Sequence, residues 1–100
     1  MEELEDRVRA TLAGHEDVRE VRMFGYRCFM VGEKLRVGVG GAGGLLVRTG
    51  PERYQEALGW PGARPALMKD RPMPGWVDVD AATLGTVEAL RRWVGLSLEQ

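Results

Sequence analysis

The sequence predicts an α+β fold: a largely antiparallel β-sheet, laid out as a meander, packed with about three α-helices. Three observations carry this. Apolar residues recur at helical spacing at both ends of the chain and once near its middle. Between these stretches lie short runs that alternate apolar and polar residues, the period of a half-buried strand. The joins between the first strands are too short for parallel crossovers, so neighbouring strands must run antiparallel.

The first helix is read from Leu4, Val8 and Leu12, which share one face. Glu3 with Arg7 and Glu5 with Arg9 are acid-before-base pairs four apart on its wet side, and Gly14 suits its stop. Val18 and Val21 lead into a strand at Met23-Phe24-Gly25. Cys28-Phe29-Met30-Val31 is an apolar run, and Gly32-Glu33-Lys34 a turn. Leu35, Val37 and Val39 alternate with Arg36 and Gly38, Gly40-Gly41-Ala42-Gly43-Gly44 breaks the pattern, and Leu45-Leu46-Val47-Arg48 resumes it.

Pro51 suits the first position of a short second helix and Gly59 its stop, with Tyr54, Ala57 and Leu58 on one face. Trp60-Pro61-Gly62-Ala63-Arg64-Pro65 is expected to be irregular, because a proline disfavours helix in the residue before it. Leu67-Met68 is expected as a short strand and Arg71-Pro72-Met73-Pro74-Gly75 as a turn. Trp76-Val77-Asp78-Val79 alternates again, with Val77 and Val79 on one face. Asp80 and then Thr86 are cap candidates ahead of a last helix with the stripe Val87, Leu90, Val94 and Leu98. Trp93 lies beside the stripe, and Arg91 and Arg92 face away.

At 100 residues the chain has the size of one domain, and its 44% apolar and 29% charged content is that of a globular protein. Fourteen basic against fifteen acidic residues leave a formal charge of −1, which argues against a dedicated nucleic-acid binder. The single cysteine, Cys28, reads as a buried small hydrophobe in a reducing compartment. No stretch has the pattern of a secretion signal or a membrane span, so cytoplasm is the expected location.

Site chemistry is sparse. Gly38-Val39-Gly40-Gly41-Ala42-Gly43 spells G-x-G-x-x-G, but a dinucleotide site needs a helix after the glycines, and Leu45-Leu46-Val47-Arg48 reads as a strand. A hairpin loop is the expected role. One histidine, His15, and one cysteine do not make a zinc site. Asp78 and Asp80 share a strand face and read as a strand edge and a helix cap. No catalytic residue, metal ligand or cofactor is expected.

Trp76, Trp93, Tyr54, Phe24 and Phe29 fall on apolar faces and are expected in the core. Met68 and Met73 flank the basic loop Lys69-Asp70-Arg71, a pattern that also suits an adaptable contact surface. Arg22, Arg48, Arg64 and Lys69 are the candidate anion- or partner-binding residues, should the meander bring them to one face; scattered solubilising charge is the other reading.

Several segments in order resemble the TfoX N-terminal domain: Arg22-Met23-Phe24-Gly25, the Gly38-Val39 strand end, Leu46 to Tyr54 through Thr49-Gly50-Pro51, Arg64-Pro65-Ala66-Leu67-Met68, Arg71 to Val77, and Leu90-Arg91-Arg92-Trp93-Val94. Members commonly carry a second glycine after the first of that opening motif; here the position is Tyr26, so a different local turn is expected. Full-length TfoX/Sxy proteins, regulators of bacterial competence, have a further C-terminal domain, and this chain reads as a single-domain member. The resemblance implies a bacterial cytoplasmic regulatory domain and transfers no site residue.

The expected function is therefore a non-enzymatic regulatory or interaction domain with a protein partner, the alternative being a small-molecule or anion-binding domain with a basic face. Direct nucleic-acid binding and membrane association are not expected. Three helices leave part of a sheet face uncovered, so a homodimer is also expected.

Overall fold

The computed structural model describes residues 3–23, 25–40 and 44–99; Phe24 and Gly41-Ala42-Gly43 lie outside them, and with them the expected core role of Phe24 and the centre of the hairpin loop. In chain order the elements are α1 (Leu4–Thr11), β1 (Val18–Met23), β2 (Tyr26–Val31), β3 (Lys34–Gly40), β4 (Leu45–Arg48), α2 (Gly50–Leu58), β5 (Ala63–Met68), β6 (Arg71–Val79), a 3-10 turn (Ala81–Thr83) and α3 (Val87–Leu98). The strands form one sheet in the order β1-β2-β3-β4-β6-β5, and every neighbouring pair is antiparallel. The α+β meander is thus the observed fold for β1 to β4. The crossover through α2 then carries β5 two places beyond β4, and β6 returns between them.

Alternation decides what the helices cover. Opposed residues across the sheet run Phe29–Val37–Val47–Val77 in one row and Val39–Leu45–Val79 in the next. All are buried except Val39, which is partly so. Val8 of α1 and Leu12 at its C-terminal cap, Ala57 of α2, Leu84, and Leu90, Trp93, Val94 and Leu96 of α3 close over them. Each fully buried aliphatic or aromatic side chain contributes about 1.5–3 kcal/mol, so this one-sided layer is the main source of stability. Trp60, just after α2, tilts against Trp93 at 4.7 Å between centroids, tying α2 to α3. Arg92 lies over the Trp60 ring rather than facing away.

The caps follow the sequence. Asp80 accepts from the Ala82 N–H and Thr86 from the Ala89 N–H. Pro51 stands in the first turn of α2, and Gly59 is its C-cap. The stripe of α3 is rotated from its expected position: Val87 is 56% exposed, while Leu96 and Ser97 are buried. From β3, the Arg36 guanidinium donates to the Ser97 carbonyl at the end of α3. Burial, and then the nearby Arg48 charge, hold that guanidinium below its usual range.

Three expectations are corrected. Residues 63–65 are strand, not irregular, because β5 is an edge strand: it pairs with β6 on its inner side and has no strand on its outer side, where a proline is tolerated. Residues 71–75 are strand, not turn. β4 pairs with β6 only from Trp76 onward, so Pro72 and Pro74 sit where β6 has β5 alone beside it. The turn lies instead at Lys69 and Asp70, both left-handed, as a tight hairpin of matching twist requires. Finally, α1 ends at Thr11, ahead of Gly14, and Arg9 bonds Asp6 and, by two bonds of 2.6 and 2.7 Å, Glu20 of β1 rather than Glu5. Glu5 instead faces Arg27 of β2 at 3.8 Å. These charges fasten α1 to the sheet edge.

Where β4 passes into α2 the chain presses on β6. Thr49 donates its N–H to the Gly75 carbonyl at 2.8 Å, and a Cβ on Gly75 would stand 3.5 Å from the Gly50 carbonyl carbon. Gly75 has φ +92. Gly75→Ala is expected to lower unfolding free energy by about 1–2 kcal/mol, through the left-handed backbone more than through contact, as measured by urea denaturation.

The Arg9 bonds hold the Glu20 carboxyl below the usual carboxylate range. A carboxyl depressed in the fold contributes stability above its unfolded pKa and loses it as pH falls through the folded one. Glu20→Gln is therefore expected to lower the urea midpoint at pH 7, with the gap to wild type closing as pH drops below about 4.

Candidate functional site

The other face of the same sheet has no helix over it. Its central row runs Val21–Cys28–Gly38–Leu46–Asp78–Arg64. The flanking rows bring Met23 opposite Tyr26, and Arg48 opposite Trp76. Seen from the chain, these are the alternate residues left over once the core row is inward.

A groove of about 460 Å³ crosses this face. Its floor is Cys28, Leu46 and Ala66, small or medium side chains, and Asp78 is the charged residue of its lining. Met23 and Tyr26 bound one side, and Leu67, Met68, Met73 and Trp76 the other. Leu67 is 61% and Met68 53% exposed, an unusual placement for large apolar side chains. Tyr26 lies across β3: a Cβ on Gly40 would come 3.0 Å from its ring, and one on Gly38 3.4 Å. The glycines of the G-x-G letters are therefore strand positions that let an aromatic ring cross them. Tyr26 itself opens β2, and the left-handed residue of this turn is Gly25, at φ +80. The Arg48 guanidinium lies 5.5 Å from the Trp76 ring centre.

The four basic candidates are not gathered into one site. Arg22 stands opposite Arg27, whose charge meets Glu5 of α1, so Arg22 belongs to the helix-covered side, where it lines a cleft with Glu3 and Glu5. Arg48 and Arg64 are on the open face, and Arg64 is 61% exposed on its side chain and 3.5 Å from Asp78. Lys69 is at the tip of the β5–β6 hairpin. Strand alternation and the position of the hairpin thus correct the expectation that all four form one basic face.

Trp76, expected in the core, is half-buried in the groove instead; the Trp76-Val77-Asp78-Val79 alternation placed Val77 and Val79 correctly and so required Trp76 on the far side. Tyr26, Cys28, Leu46 and Leu67 were not among the expected site residues. The signal present in the sequence was Met68 and Met73 flanking Lys69-Asp70-Arg71. His15 is exposed after α1, and among the described residues no three His, Cys, Asp or Glu side chains gather to hold a metal. No described helix is long and apolar enough to cross a membrane.

Fold and face together define an α+β domain built on a one-sided antiparallel sheet. The chain belongs to the TfoX N-terminal domain family, whose model matches residues 10–100. No curated protein and no solved structure matches it significantly.

Burial pushes the Cys28 thiol up from its ordinary value. Alkylation by iodoacetamide at pH 8 is expected to run slower than for a free cysteine peptide, because both access and the thiolate fraction fall; a rate at or above the peptide's would contradict this placement.

Proposed function

We propose that this protein is a non-enzymatic regulatory domain that works by binding another protein on the open face of its sheet. The observation that carries the reading is the apolar groove itself. Large side chains such as Leu67 and Met68 are left in solvent beside Trp76, whereas Val77 and Val79 on the opposite face of β6 are fully buried. Membership of the TfoX N-terminal domain family supports a role in transcriptional control in a bacterial cytoplasm, of the kind that competence regulators exercise. The formal charge of −1 weighs against a direct role on nucleic acid.

The test is in-cell cross-linking of the full chain, wild type against Leu46→Glu, with Met68→Glu as a second variant at a more exposed position. A partner captured by wild type is expected to fall about tenfold or more with either variant, the loss of about 1.4 kcal/mol or more of binding free energy, while circular dichroism stays unchanged. Turnover or retention of a metabolite, with no partner sensitive to these variants, would overturn the proposal.

A further inference from the structure

The charge around the groove is lopsided in a way the whole chain is not. Register places Arg19, Arg48 and Arg64 on the open face with Asp78, and Arg71 stands opposite Met68 beside the hairpin residues Lys69 and Asp70. Arg64 and Asp78 face each other at 3.5 Å. Among the described residues Arg19, Arg48, Lys69 and Arg71 take part in no ion pair. A chain of formal charge −1 therefore presents an apolar groove whose charged lining residue, Asp78, is matched by Arg64, with unpaired cations at its margins.

Shape narrows the occupant. The sides stand on β1 and β2 (Met23, Tyr26) and on β6 and β5 (Trp76, Met73, Leu67, Met68), and the inner pair, β2 and β6, are three strand spacings apart, or about 14 Å. That span accepts one α-helix, whose diameter with side chains is about 10–12 Å. The floor at Cys28, Leu46 and Ala66 carries small or medium side chains, so an apolar stripe seats there beside the Tyr26 ring. A second copy of this chain would set the same cations against one another, which opposes face-to-face pairing.

We infer that the groove docks an amphipathic helix of a partner protein, with an apolar stripe seated on Leu46, Met68, Met73 and Trp76 and flanking Asp or Glu side chains meeting Arg48, Arg19 and the hairpin cations. This rests on the reading of the open face as a contact surface and specifies the chemistry of the partner.

The probe is a synthetic helical peptide of about 14 residues, with leucines at i, i+3, i+4 and i+7 and glutamates beside them. A second peptide replaces each glutamate by lysine. Titration of the full chain is followed by the methyl signals of Met68 and Met73. The glutamate peptide is expected to bind about tenfold tighter or more than the lysine peptide at low salt. Arg48→Glu and Met68→Glu should each weaken it about tenfold, and Arg22→Glu, on the other face, should leave it unchanged. Equal affinity for the two peptides, or indifference to Arg48→Glu, would overturn the inference. So would concentration-dependent self-association that shifts the same methyls without peptide binding, which assigns the face to a second copy. If the peptides fail while in-cell capture stays sensitive to Leu46→Glu, the contact function stands and only the acidic helix falls. If both fail, the contact reading falls with it.

Discussion

A β-strand has two sides, and in this protein three helices cover only one of them. The inward row Phe29, Val37, Val47 and Val77 is fully buried under α1, α2 and α3. A slip of one residue in any of these strands would exchange it for Cys28, Gly38, Leu46 and Asp78. The rest of the architecture depends on that register. It sets which way Arg9 and Glu20 face to fasten α1, where Arg36 reaches the end of α3, and which side chains remain for solvent or a partner.

The second half of the sheet is held by backbone conformation more than by apolar area. β6 enters between β4 and β5 only after passing the β4–α2 junction, and the close approach of Gly75 to Gly50 makes room for it. Prolines that would interrupt a central strand are confined to the edge strand β5 and to the half of β6 that pairs on one side alone. The β5–β6 hairpin therefore projects past β4 and carries Met68, Lys69 and Arg71 to the end of the groove. The irregular composition of this region is what shapes the open face.

That face joins features that are unremarkable apart. Tyr26 over two glycines, Arg48 over Trp76, and exposed Leu67 and Met68 each have local explanations. Together they form a concave apolar surface with positive edges, on a chain whose total charge is near zero. The contact function proposed for this member of the TfoX N-terminal domain family takes its physical basis from that combination.

The sequence by itself determined the α+β class, the strands β2 to β4, the two side-chain caps at Asp80 and Thr86, and the inward positions Val77 and Val79, because period, turn residues and capping are local properties; the first strand it placed at Met23-Phe24-Gly25, whereas β1 is Val18–Met23 and Gly25 lies in the turn after it. It also carried the family's ordered motifs and the expectation that a sheet face stays uncovered. Tertiary structure alone decided the rest. Residues 63–65 and 71–75 look like loop because proline and glycine are weighed locally, whereas their strand character depends on which side of each strand has a neighbour. Trp76 looks like core by composition, yet its side of the sheet is fixed by pairing with Arg48. The basic residues looked like one site or none, and pairing across six strands sent Arg22 to the helices and Arg48 to the groove. Nothing in the spacing of those residues along the chain encodes that division, because it arises from strand order and register.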